Sequence, residues 1–429
     1  MTDRSNDASW WTFSIDEEVR SDRAHSRFTG ELEVNPELPG GRHMLDYHEY
    51  LGLDRLLASQ RPSSSIPDER VFIITHQLHE LTFKMLAFDL AVIARTLESL
   101  LSAGDAASIL RHCDEDEPFW RPALTAAARA NFACRELLPS IMRYLGDPRD
   151  ADETFSSIEF YRFRENLVPG SGFQSAQFRL IQRAFGKSNL LSVRLFPSDT
   201  YRANYGDKYD GTAAVVDPLI LRDDVLVATP PADSPYALAA KVDDLAHAAL
   251  QRIGSLADFP GGTVDKIGNA DVDRAGDILE RILSSRRKEA SPTDLATREK
   301  QHTAAVGRFR ADMSAAVARE NLRREGLQSA RAGAQFLRKR APRSHLADIL
   351  RHIARADEAL HDPSHDSFLS VHLRVTRERM RQLNAYAAKR GEAEPTAGTG
   401  GGGIEYLGWA QKHLIPLFPA LVAYREVGE

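Results

Sequence analysis

Cysteine is nearly missing from this sequence: Cys113 and Cys134 are the only two in 429 residues. A disulfide framework is therefore excluded as the source of the fold, and the expected setting is a reducing compartment, the cytoplasm. Long apolar runs are missing too. No uninterrupted stretch approaches the roughly 20 residues that a membrane-spanning helix requires, so no membrane is expected as a partner. The opening MTDRSNDASWWTF has neither the basic start nor the apolar core of a signal peptide. Charge of one sign is also in short supply. With 55 basic against 61 acidic residues, nothing electrostatic recruits nucleic acid or an anionic surface. Finally, alternating apolar and polar runs of period two are scarce, which removes most of the case for a sheet.

What remains is helical periodicity. Leu, Ala, Arg and Glu dominate segments in which apolar residues recur every three or four positions, as one buried helix face requires. The pattern predicts helices over 44–60, 67–103, 105–114, 117–147, 153–167, 173–185, 236–257, 271–287, 292–340, 344–360, 366–390 and 404–424. The expected fold class is all-α, a helical bundle. Residues 1–41, with Trp10 and Trp11 and ending in PELPGGR, read as an arm; 42–429 reads as one helical domain. Inside it 187–345 stands out as an enlarged middle region, irregular as far as about 235 and then helical and highly charged.

Four constellations carry chemistry. In Phe72-Ile-Ile-Thr-His76-Gln-Leu-His79-Glu80-Leu-Thr-Phe83 the residues Phe72, His76, Glu80 and Phe83 share a helix face, setting a histidine and a carboxylate one turn apart between aromatic rings. The face suits an aromatic pocket with a polar handle, or a buried histidine bonded to Glu80. His76 and His79 are three apart where a zincin helix needs four. Next, Phe160-Tyr-Arg-Phe163-Arg164 leads into Val-Pro-Gly-Ser-Gly-Phe-Gln-Ser. A glycine-rich turn offers main-chain N–H groups and Arg164 a planar fork, both matched to a carboxylate. Third, Leu369, His372, Thr376, Met380 and Leu383 form one stripe in which an imidazole faces apolar neighbours, as proximal haem ligation requires and as a plain core helix also allows. Fourth, Gly398-Thr399-Gly-Gly-Gly-Gly makes a loop able to close on a ligand, or a linker.

The order and wording of these segments resemble the tryptophan 2,3-dioxygenases. Tyr47-His-Glu-Tyr50-Leu-Gly-Leu, Phe72 to Leu81, Phe163 to Arg179 and Gly398 to Gly401 follow that family's motifs in sequence, closely between about 45 and 187. The resemblance implies a helical bundle of that type and haem b as cofactor. It implies O2 and tryptophan, or a related aromatic amino acid, as small-molecule substrates, opening of the indole 2,3-bond, and a homo-oligomer, dimer or tetramer. It gives His76 the catalytic place beside the substrate ring and Phe72 and Phe160 the flanks of that ring. Arg164 takes the substrate's carboxylate, Thr399 its ammonium or carboxylate, and Tyr47 and Tyr50 stand near the pocket. Two departures stand out: Thr82 replaces an aromatic residue, and the string carrying the family's haem ligand is not preserved. A short gap puts His372 at the ligand position, an ungapped alignment puts Thr376 there, and His365 and His361 are held in reserve. A haem-dependent hydroxylase and a cofactor-free helical interaction protein are the rival expectations.

Overall fold

The computed structural model describes residues 50–102, 104–114, 117–150, 154–164, 175–187, 235–258, 261, 265–285, 292–362 and 366–391. The arm, the glycine-rich turn, the last expected helix, Tyr47, His365 and Thr399 lie outside the described residues, as does the side chain of Arg164. Among the described residues every regular element is helical and no strand occurs. The expected all-α class holds.

The contacts divide the chain into two compact units. The first contains α1 (Leu53–Leu57), the part of α2 (Pro67–Ser102) that ends at Gln77, and residues 158–164 of α6 (Ser157–Arg164). Helix α2 begins at a proline with Asp68 and Glu69 in its first turn, the composition a helix start favours. Glu69 is buried, and its carboxylate accepts main-chain and hydroxyl hydrogen bonds from Ser63 and Ser64 at 2.5–2.8 Å. Burial opposes its charge, but these four donors outweigh burial and leave the group below its ordinary carboxylate value. Near the other end of this part of α2, Gln60 donates to Gln77 across 2.6 Å, tying the segment after α1 to it.

The second unit holds the rest of α2 with α3 (Ala106–Asp114), α4 (Glu117–Phe132), α5 (Leu138–Arg143), α7 (Ala176–Ala184), α8 (Pro235–Ala239) and α9 (Val242–Gly254). It also holds α10 (Asn269–Ser285), α11 (Pro292–Arg340), α12 (His345–His361) and α13 (Phe368–Arg390). A π-helical turn, Ala133–Leu137, joins α4 to α5. Helix α12 packs against α4 and this turn, and α13 against α5 and α12. Trp120 on α4 is wholly buried, and its indole N–H donates to the His112 carbonyl at 2.7 Å, so a large apolar ring enters the core without stranding its donor.

The middle region forms the α10–α11 pair with α9 laid against α11. The expected 292–340 helix appears with those bounds as α11. Its buried residues His302, Val306, Phe309, Met313, Ala316, Glu320, Arg324, Leu327, Ala330, Ala334 and Leu337 keep three- and four-residue steps, the seam of a helix packed lengthwise on partners. Where α9 crosses α11, a Cβ on Gly333 would collide with the Leu250 carbonyl and one on Gly254 with the Ser329 carbonyl. Only glycine lets the two backbones approach that closely.

A buried ionic network joins these helices. Lys187, just after α7, lies 2.9 Å from the Asp357 carboxylate, both side chains fully buried. His361 meets the same carboxylate through Nδ1 at 2.7 Å. Arg323 pairs with Asp243 beside Gly186, whose positive φ of 77° brings the backbone in close. Breaking one member of such a pair leaves an uncompensated buried charge, a loss of about 3–5 kcal/mol.

Candidate functional site

In the first unit Phe72 and His76 lie one turn apart on α2, their ring centroids 3.9 Å apart. Phe160 and Phe163, one turn apart on α6, close on Phe72 at 5.4 and 5.7 Å and on each other at 5.4 Å. Both are buried while Phe72 and His76 are half-buried. His76 donates from Nδ1 to the Phe72 carbonyl at 2.7 Å. That bond fixes the tautomer, so in the neutral ring Nε2 is the accepting nitrogen. Three nominated residues, Phe72, His76 and Phe160, therefore meet in one group of rings. The sequence reading passed over Phe163, although its i, i+3 spacing from Phe160 was the available signal. Tyr50, at 74% exposure, stands in the open.

The alternative in which His76 bonds Glu80 is replaced by a different pairing. Glu80 accepts from Gln177 Nε2 on α7, through its carboxylate at 2.9 Å and its main-chain carbonyl at 3.0 Å. Gln177 lies within the second motif, and Ser175 beside it caps α7 by accepting from the Phe178 N–H at 3.1 Å. Thr82, buried, turns its hydroxyl back to the Leu78 carbonyl at 2.8 Å.

The stripe bearing His372 belongs to the second unit. Ser367 caps α13 by accepting from the Ser370 N–H at 3.2 Å. Arg374 then fixes the helix sideways, donating to Asp147 at 2.5 and 2.9 Å and to Asp366 at 2.9 Å. Burial works against the charge of Asp147, but the hydrogen bonds from Arg374 and Arg149 hold its carboxyl well below the usual range. His372 is half-buried, its ring 6.1 Å from that of Phe368, and Phe368 in turn lies 5.3 Å from His79 and 5.8 Å from Phe178. Thr376, the ungapped alternative, spends its hydroxyl on the His372 carbonyl at 2.9 Å. His361 is sealed in the ionic network, where burial, opposed by Asp357, favours its neutral form.

Among the described residues no three or more His, Cys, Asp and Glu side chains gather as a metal cage. An iron porphyrin asks for less, an axial imidazole among apolar neighbours. His372 beside Phe368 offers that donor set, so the residues present fit the group.

A family model described as tryptophan 2,3-dioxygenase matches residues 36–111 of this chain. A tryptophan 2,3-dioxygenase of Bdellovibrio bacteriovorus is 35% identical over 146 residues, 33% of this chain and 34% of that protein. Tryptophan 2,3-dioxygenase B of Danio rerio is 31% identical over 183 residues, covering 42% and 38% of the two chains. For the tryptophan 2,3-dioxygenase of Anaeromyxobacter dehalogenans the identity is 32% over 155 residues, covering 36% and 49%. Over these segments the chain is similar to tryptophan 2,3-dioxygenases. It spans between about a third and a half of the length of these curated relatives. The dioxygenase family match includes Phe72, His76 and His79 and ends well before His372. No helix among the described residues is long and apolar enough to cross a membrane.

Proposed function

We propose that this chain is a haem-dependent oxygenase acting on tryptophan or a closely related aromatic amino acid, of the indole 2,3-cleaving type. The observation that carries the proposal is the grouping of His76, Phe160 and Phe163 around the Phe72 ring. Phe72 and Phe160 would flank the substrate ring with their π-faces and edges. His76, its Nδ1 committed to a main-chain carbonyl, would present Nε2 as a hydrogen-bond acceptor at the ring. Arg164 would clamp the carboxylate as a bidentate ion pair, Thr399 would contact the amino-acid head group, and Tyr47 and Tyr50 would stand at the edge of the site.

His372 would hold the iron of haem b. The haem, when bound, supplies the activation of O2, and the side chains supply position and polarity. His372 is preferred over His361 because the latter is enclosed with Asp357 and Lys187. A homo-oligomer is part of the proposal. Leu78, Leu81, Met85 and Phe88 are exposed on α2 at the three- and four-residue spacing of a helix seam, the kind of surface a second copy covers.

Turnover of tryptophan under labelled O2 tests the reading. Two labelled atoms in a ring-opened product are expected. One labelled atom in a ring-hydroxylated product, with the second reduced to water by an added two-electron donor, would mark the hydroxylase reading instead.

A further inference from the structure

Phe368 is the first residue of α13, one turn before His372, and is 6% exposed. Its ring is surrounded by rings of three elements: His79 at 5.3 Å and Phe83 at 6.0 Å on α2, Phe178 at 5.8 Å on α7, and His372 at 6.1 Å on its own helix. Phe83 and Phe178 also meet each other at 5.2 Å, and His79 meets Phe83 at 6.2 Å. A ring held on several sides has few rotamers open to it, and whatever it touches inherits that restriction. His372 is half-buried with its ring against Phe368, so this caged ring is one of the neighbours that limit its rotation.

We propose that Phe368 is a positioning residue for the His372 imidazole, with His79 as a second imidazole in the same aromatic cage that sets the polarity around it. The inference rests on the reading of His372 as the haem ligand. The cage transmits orientation from α2 and α7 to α13: Phe178 follows Gln177, which is hydrogen-bonded to Glu80 on α2. His79 is 5% exposed and lies on the side of the cage that α2 supplies. A ring packed against a ligating imidazole would restrict the angle at which that imidazole meets a metal, and so influence the metal's spin state.

The test uses the full-length chain supplemented with haem, in four variants beside the wild type: Phe368→Leu, Phe368→Tyr, His79→Phe and His372→Ala. The readouts are the ferric absorption and electron spin resonance spectra and the rate at which haem is lost to an excess of apomyoglobin. Phe368→Leu is expected to keep haem but broaden the spectrum into mixed spin states, with haem loss faster by about tenfold. Phe368→Tyr, which restores the ring, is expected to return to the wild-type spectrum. His79→Phe, which keeps a ring but removes the imidazole, is expected to shift the spectrum with little change in haem loss. Wild-type spectra and loss rates in both Phe368→Leu and His79→Phe, while His372→Ala loses haem, would overturn this inference alone. If His372→Ala leaves the spectrum unchanged, or the wild type takes up no haem, the parent reading falls and this one with it. Should Phe368→Leu fail to fold, by circular dichroism, His79→Phe decides.

Discussion

Two histidines nominated from the sequence, His76 for a place beside the substrate ring and His361 as a reserve haem ligand, end in opposite surroundings. His76 is half-buried, its ring tilted against that of Phe72, with Nδ1 spent on the carbonyl one turn back. His361 is sealed, with Nδ1 on Asp357, whose carboxylate also takes the Lys187 ammonium. Under the proposed function the first would meet the substrate, and the second ties α12 to the chain after α7. A histidine's spacing on a helix does not distinguish these uses; what does is the partner of Nδ1 and how much of the ring is open.

The sharpest way to break this comparison is Asp357→Ala. It would strand the Lys187 ammonium and remove the His361 anchor, and urea unfolding should show a loss of about 3–5 kcal/mol. A loss under 1 kcal/mol would mean that the network does not fasten the helices. His76→Ala should do the reverse, leaving the unfolding midpoint nearly unchanged while lowering turnover of the aromatic substrate by about a hundredfold or more, as loss of a positioned proton-transfer or hydrogen-bonding group does. Equal effects on stability at both positions would erase the distinction. Gly333→Ala is intermediate. The added methyl meets the Leu250 carbonyl, so α9 and α11 must separate, and a stability loss of about 1–3 kcal/mol is expected with substrate affinity unchanged.

The smallest effects are those of pH. His361 is held neutral by burial, opposed by Asp357, so its folded pKa is lowered. The unfolded chain then binds the proton more readily, and stability should begin to fall as pH drops below the ordinary imidazole value of about 6.5. Asp147 has a depressed folded pKa, because the arginine hydrogen bonds outweigh burial. Its contribution is present above the ordinary carboxylate value of about 3.9 and is lost as pH falls from there toward the folded value. Unfolding curves at a series of pH values should therefore decline in two stages, and His361→Gln should shrink only the upper one, to which His247 and His352, also lowered by burial, contribute.

Much of the fold was legible because helical periodicity is a local signal. Helix α2 was read at 67–103 and appears as Pro67–Ser102, and α11 was read with its exact ends. Boundaries failed where chain chemistry outweighs pattern. The expected 117–147 helix ends at Arg143 after a π-helical turn, and 236–257 divides into α8 and α9. In the ring group, Phe72 and His76 were legible because one motif, Phe72 to Leu81, holds both, and Phe160 because the resemblance names it. Phe163 was missed because a single aromatic at i+3 reads equally well as core. Gln177 was missed as the partner of Glu80 because the two lie 97 residues apart, and no spacing rule links helices across such a gap. Arg379 was overlooked as well; it lies 7% exposed with its guanidinium 5.0 Å from the Phe155 ring, a cation–π contact that lets a charge enter the apolar stripe of α13.

The most direct measurement is a Soret-region titration of the purified full-length chain with haem, in parallel with His372→Ala, followed by addition of tryptophan. A stoichiometric histidine-ligated spectrum that the variant lacks, shifting when tryptophan is added, is the expected result. A wild type and variant with the same spectrum, or a wild type that stays colourless, would contradict the assignment of His372 and of an iron porphyrin to this helical protein.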